Sequence, residues 1–238
     1  MHYRIFLAGA TGVIGRRLAA LLRDAGHHVT GTTRAASKAD SLREIGVEPV
    51  VVDVFNAEAL TRAVAAAKPE IVIHQLTDLP RGLDPAKMDE AIRRNARLRT
   101  DGTRNLVDAA VAAGVRRLIA QSIAWAYAPG REPHAESDPL DVDALGIRAV
   151  SVGGIVALER AVLDAPLEGI VLRYGQLYGP GTGTDAATGA SPLHVDAAAR
   201  AALLAVERGA PGVYNIAEPN PHVSCEKART ELGWRADA

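Results

Sequence analysis

The sequence predicts an α/β protein built on a doubly wound, mostly parallel sheet. Three observations carry that prediction. Short β-branched runs alternate with longer amphipathic stretches along most of the chain. The short runs are continuously apolar, as strands covered on both faces are. A glycine-rich segment, Gly9-Ala10-Thr11-Gly12-Val13-Ile14-Gly15, joins the first run to the first amphipathic stretch.

The elements come in order along the chain. Residues 3–8 read as the first strand. Ile14, Leu18, Leu21, Leu22 and Ala25 then recur at helical spacing, and Gly26 stands where a helix would be capped. A second strand covers 28–33, a weak helix 38–45 and a third strand 49–52. Helix is predicted over 57–67 and a fourth strand over 71–74. One long helix is expected between 85 and 113, closed by Gly114, before a fifth strand over 117–121. A helix over 149–163 and a sixth strand over 169–173 complete the alternation, with right-handed crossovers as the default. After residue 174 the texture changes. Residues 175–191 are rich in Gly, Thr and Pro without a period and read as a mobile loop. Beyond them come an Ala-rich helix over 194–207, a short strand over 212–216 and a last helix over 226–232, ended by Gly233.

Composition narrows the class. The chain has 238 residues, 48% hydrophobic and 23% charged, which is ordinary for a globular fold. A formal net charge of −1 argues against a nucleic-acid or anionic-membrane partner. The single cysteine, Cys225, excludes an internal disulfide framework and a cysteine-based zinc site, and no other metal site is expected. It fits a reducing compartment, so the expected location is cytoplasmic. No apolar run reaches the ~18–20 residues of a membrane helix, and the chain enters its first strand directly rather than through a signal peptide. The expected partner is a small molecule, with the chain as monomer or homodimer. Arginine supplies 23 of the 27 basic residues, and the Ala/Arg bias is that of a GC-rich coding sequence.

The glycine segment is where the chemistry starts. Between a strand and a helix, Gly9, Gly12 and Gly15 allow a tight turn and close backbone approach to a pyrophosphate at the helix N-terminus. Thr11, Val13 and Ile14 belong to the same dinucleotide contact. No Gly-Lys-Ser/Thr comes after it, which excludes a P-loop. The fold prediction is therefore Rossmann-type, with an NADP-binding unit over residues 1–174. A small substrate-binding region, not an independent domain, covers 175–238. The second strand ends Thr32-Thr33-Arg34 without an acid to hold a ribose diol, so Arg34, with Lys38 or Ser37, selects the 2′-phosphate of NADP(H) over NAD(H). Asp53 and Val54 come after the third strand; Asp53 reads as an adenine contact or as the cap of the next helix. Gln75 and Leu76, at the end of the fourth strand, lie over the cofactor by the strand-end rule, whereas His74 reads as packed.

These segments together resemble the extended and atypical short-chain dehydrogenase/reductases, a family that includes nucleotide-sugar epimerases and ketoreductases. The resemblance runs through GATGVIG, Asp53, DGTRNLVDAA at 101–110, AGVRRLIAQS at 113–122, LRYGQLYGPG at 172–181, LHVDAAARAALLAV at 193–206, VYNIAE at 213–218 and KARTELGW at 227–234. It implies backbone contacts from Tyr174 and Gly175 to the nicotinamide carboxamide. It also implies a substrate loop opening at Tyr178, with 181–191 as a candidate lid, and a His-Val-Asp segment holding His194 and Asp196, where Asp196 caps the next helix. Trp125 is placed to line the pocket.

The chain departs from that family at its chemistry, which rests on a Ser or Thr, a Tyr and a Lys. Counting from Glu159 puts Ile155 at the lysine position and Ser151 at the tyrosine position. Counting from Tyr127 puts Ile123 at the serine position, unless the register is off by one and Ser122 serves. No Tyr-x-x-x-Lys occurs anywhere among the four lysines. Three readings arise, in this order. The first is an NADPH-dependent ketoreductase for a carbonyl flanked by its own hydroxyl, an aromatic polyketide in antibiotic biosynthesis, because such a carbonyl stabilises its own alkoxide. In that respect the chain is similar to triad-less ketoreductases that act at the 7-keto group of angucyclinones of the simocyclinone type. Ser122, Tyr127 and Ser151 are its candidate supporting groups. The second is a catalytically silent NADP-binding sensor or scaffold. The third is a nucleotide-sugar epimerase or reductase, which needs the missing tyrosine. About 60 residues after 174 suit a compact, flat, apolar ligand better than a nucleotide sugar. Arg93, Arg94, Arg97 and Arg99 read as a solvated or salt-bridged face of the long helix.

Overall fold

The computed structural model describes residues 1–80 and 85–237. It is an α/β protein with a seven-stranded, all-parallel, Rossmann-like sheet. The strands are β1 (Arg4–Ala8), β2 (His28–Thr33), β3 (Glu48–Val51), β4 (Ile71–His74), β5 (Arg117–Ile123), β6 (Glu168–Tyr174) and β9 (Gly212–Ile216). Their order is β3-β2-β1-β4-β5-β6-β9. The chain winds outward from β1 to β3, then restarts on the other side of β1 at β4, so the carboxyl ends of β1 and β4 flank a topological switch point.

Strand alternation divides the core. Ile5, Leu7, Ile71, Ile73, Ile119, Ile170 and Leu172 face α1 (Val13–Asp24) and α7 (Val195–Ala205) in one buried cluster. Phe6, Ala8, Val72, Leu118, Ala120 and Val171 face α3 (Ala57–Ala67), α5 (Thr103–Ala112) and α6 (Gly146–Leu163) in a second. The short α2 (Ala39–Arg43) stands where the weak helix was predicted. Gly31 sits in β2 because a Cβ there would lie 2.7 Å from the Ala10 Cβ, so the glycine loop beds directly on β2.

Three expectations need correction. The long helix is broken. α4 (Met88–Arg97) passes into a wider π turn, Leu98–Gly102, before α5 begins. Within that turn Gly102 meets Val54 so closely that a Cβ would lie 3.0 Å from its Cγ1. Second, 175–191 is not all loop. It opens with β7 (Gln176–Tyr178), which pairs in parallel with β8 (Pro192–His194). Strands of three residues carry no readable alternation, and the partner lies far along the chain. Third, Asp196 does not cap α7. The His194 side chain does, its Nδ1 accepting from the Asp196 N–H at 3.2 Å. Residues beyond 174 also enter the main fold: β9 extends the sheet beside β6, α7 packs on α1, and Trp234 joins the same core. No helix among the described residues is long and apolar enough to cross a membrane.

Candidate active site at the carboxyl edge of the sheet

The glycine loop leaves β1 at the switch point and folds back on itself. Gly9, at φ 90°, lies against β4, where a Cβ would fall 2.8 Å from the Gln75 carbonyl oxygen. A Cβ at Gly15 would fall 2.0 Å from the Gly9 carbonyl oxygen. Thr32 fixes the loop from β2, its Oγ1 accepting from the Gly9 N–H at 3.0 Å. The Gly12 N–H turns inward to the Gly9 carbonyl, and no side chain caps α1. The first-turn N–H groups of Val13, Ile14 and Gly15 therefore have no partner among the described residues. Uncapped donors at a helix N-terminus, beside a backbone no side chain encumbers, fit a dinucleotide diphosphate. Half-buried Thr11 completes the loop.

Arg34 stands exposed at the end of β2 and approaches Asp78 at 3.7 Å. Half-buried Lys38 lies one turn on, its carbonyl accepting from Ser41. Asp53 does not cap α3; Asn56 does, accepting from the Ala59 N–H at 3.0 Å. One Asp53 oxygen accepts from the Phe55 N–H at 3.0 Å. Val54 is buried against Gly102. Gln75 is buried, with Nε2 3.4 Å from the Tyr174 hydroxyl and Oε1 without a partner among the described residues. The Leu76 carbonyl accepts from Gln121 at 3.1 Å. The Gly175 N–H donates to Ile216 and the Tyr174 carbonyl accepts from Ala124, so both backbone groups are engaged within the sheet region.

Of the three positions that the family resemblance points to, two are apolar, Ile123 and Ile155, and one is polar, Ser151. Ile155 is fully buried with Ala126 and Val152, and Ile123, Leu140 and Val156 pack on that cluster. Ile123 and Ile155 thus share one wall, with Ser151 half-buried one turn earlier on α6 and making no hydrogen bond among the described residues. Ser122 turns to Glu159, one turn beyond Ile155 on α6. Its Oγ donates to Glu159 at 2.7 Å, and Glu159 takes Arg173 through both oxygens at 2.9 and 2.7 Å. Arg173 continues to the Tyr127 hydroxyl at 2.8 Å, which donates to Asn215 at 2.6 Å. Tyr127 also stacks on His134 at 4.9 Å. Burial raises the Tyr127 phenol, although Arg173 and Asn215 pull it the other way. Burial works against the Arg173 charge, but Glu159 and then Tyr127 outweigh it and hold the guanidinium charged.

At the far rim, the Tyr178 hydroxyl donates to Glu218 at 2.8 Å and its ring meets His194 edge-on at 5.1 Å. Arg17 of α1 bonds Asp196 and donates to the Pro180 carbonyl at 2.8 Å, tying the loop after β7 to α1. Trp125 is 40% exposed at the mouth. Two groups escape a reading of the sequence. One is the buried Glu159–Arg173 pair. The other is Arg99, which the π turn carries away from the paired outer face of α4: it lies within electrostatic reach of His74 and Glu159. A glycine inside a helical pattern, Gly102, is the available signal.

The sequence matches the family described as NAD(P)H-binding over residues 9–201. It is 45% identical, over 92% of this chain and 77% of the relative, to a Streptomyces protein named 3-diazoavenalumate denitrifying reductase. The fold is similar to that of a UDP-glucose 4-epimerase from Thermotoga maritima, with TM-score 0.79, 19% identity, and 100% and 94% of the two chains covered. It is also similar to a dTDP-glucose 4,6-dehydratase from Streptomyces venezuelae, solved with NAD bound, with TM-score 0.79, 17% identity, and 100% and 92% covered.

Proposed function

The chain belongs to the NAD(P)H-binding family and is an NAD(P)-dependent oxidoreductase, and on that premise we propose that it reductively removes a diazo group from an aromatic carboxylate, with NADPH. The observation that carries this reading is that the buried Ile155, packed with Ile123, takes the place of the cation, and the short Ser151 takes the place of the acid. When bound, the cofactor supplies a hydride. An aromatic diazonium ion that gains a hydride breaks its C–N bond, forms a C–H bond, releases N2 and takes up no proton. A ketone must also take up a proton, a step in which a positioned acid contributes ~10²–10⁴-fold. A diazonium reductase has no use for that acid. It does need to exclude water, whose attack converts the diazonium to a phenol, and half-buried Ile123, backed by the buried Ala126, Val152 and Ile155, serves that purpose. The Streptomyces relative's name supports the diazo carboxylate. The absence of an acid after β2, with Arg34 and Lys38 in its place, supports NADPH over NADH.

The hydroxyl-flanked ketone is the second reading, favoured by the unengaged Ser151 hydroxyl on the same wall. One experiment separates the two. The enzyme is given NADPH with 4-carboxybenzenediazonium, or with 1-hydroxyanthraquinone, in weak buffer, against enzyme-free controls. The expected outcome is one N2 released per NADPH oxidised with no proton consumed. Diazonium loss no faster than in the control, with anthraquinone reduced at one proton per NADPH, rejects the first reading for the second.

A further inference from the structure

We propose that Arg99 is an anion-binding residue of the cleft that takes the substrate's carboxylate. This rests on the reading that a carboxylate substrate is reduced at this edge of the sheet.

Each neighbouring arginine of α4 has an outward role or partner. Arg93 is exposed, Arg94 bonds Glu90 at 2.6 Å and approaches Asp78 at 3.4 Å, and Arg97 reaches Asp101 at 3.6 Å and covers the Phe55 ring at 4.6 Å. The π turn adds a residue to one turn of helix and so rotates the residues beyond it. Arg99 falls in that turn, partly buried, its guanidinium with neither a hydrogen bond nor an ion pair among the described residues. α6 closes over it: Gly154 packs so tightly on Ala96 that a Cβ would lie 2.9 Å from the Ala96 Cα. α4 begins on the carboxyl edge of the sheet, and helical side chains lean toward their own N-terminus, so Arg99 leans toward the cleft.

Neither polar neighbour gives it a hydrogen bond, although Glu159 supports its charge from a distance. Glu159 is saturated by Ser122 and by both edges of Arg173. His74 accepts from the Leu76 N–H through Nδ1 and so presents Nε2–H to Thr103, as a neutral ring. Burial lowers Arg99 to about 10, which leaves it charged at neutral pH. A partly desolvated cation without a partner is costly, and a planar carboxylate answers it through two parallel hydrogen bonds. The cofactor's own anions lie elsewhere. The diphosphate falls to α1 and the ribose phosphate to the end of β2, whereas Arg99 stands beyond β4 on the other side of the switch point.

The test is binding of 2-naphthoate and its neutral counterpart 2-naphthamide to the enzyme with NADP⁺, by titration calorimetry, in wild type, Arg99→Gln and Arg99→Lys. The expected result is a loss of about ten-fold or more in naphthoate affinity in Arg99→Gln, smaller in Arg99→Lys. Naphthamide and NADP⁺ binding stay unchanged, and Arg99→Gln unfolds at no lower denaturant concentration than wild type. Equal loss for the amide, loss of NADP⁺ binding, unaltered naphthoate affinity, or no naphthoate binding by wild type overturns the proposal. N2 release is read separately. Its absence with the naphthoate pattern intact removes the diazo substrate and leaves the anion site.

Discussion

Tyr127→Phe distinguishes a structural tyrosine from a proton donor. The side chain is 6% exposed, and its hydroxyl is spent twice, accepting from Arg173 at 2.8 Å and donating to Asn215 at 2.6 Å. Phenylalanine keeps the stack on His134 and the ring under the Arg173 guanidinium, 4.9 Å from its centroid, so packing survives and only the two hydrogen bonds are lost. One of these involves a charged donor, for a combined cost of about 2–4 kcal/mol. That is a fraction of an ordinary domain's stability of about 5–15 kcal/mol, so the variant stays folded. Denaturant unfolding should show the full cost, while the maximal rate of NADPH oxidation with substrate stays within about three-fold of wild type, since no acid of ~10²–10⁴-fold effect is removed. A rate loss of about a hundred-fold with stability unchanged would show that the phenol donates the proton and would refute the structural assignment.

Two further outcomes come from the same geometry. Arg34→Asp should raise the Michaelis constant for NADPH far more than that for NADH; equal effects on the two cofactors would remove Arg34 from the phosphate site. His74 is buried, and burial above all, with Arg99 adding to it, pushes its pKa from 6.5 down to about 4. Between those values the unfolded chain takes up a proton that the folded chain refuses. Stability is therefore full above pH 6.5 and falls as pH falls through that window, by on the order of 3 kcal/mol. His74→Gln should flatten the dependence, and parallel losses in wild type and variant would locate the titration elsewhere.

The nucleotide half of the fold is legible because its signals are local. β1 and β4 carry the apolar runs 5–8 and 71–73, and the glycine spacing reads as a turn because Gly9 and Gly15 meet face to face. What hides from the sequence is pairing at a distance. β7 and β8 are three residues each and hold each other across the segment between them. Ser122 and Tyr127 look like unclaimed hydroxyls until β6 brings Arg173 beside them, with Glu159 supplied by α6. Asp196 looks like a cap until Arg17, far earlier in the chain, claims it and leaves His194 to do the capping. Arg99 looks like part of an exposed basic stripe as long as an even 3.6-residue period is carried through a turn that does not keep it.

The two faces of the sheet close at different times as the chain is made. On the face covered by α3, α5 and α6, the buried residues run from Phe6 to Val171, so that side has its material before α7 and β9 are made. On the other face, α1 waits for α7, and the cluster that begins at Ile5 is finished only by Tyr214, Leu232 and Trp234, whose indole donates to the Ala197 carbonyl at 3.0 Å. A nascent chain that stops short of α7 and β9 therefore presents the bare edge of β6 and the apolar stripe of α1 to its surroundings, the kind of surface that aggregates or recruits chaperones. Residues 195–234 act as a seam, and α1 is the piece of cloth they close over.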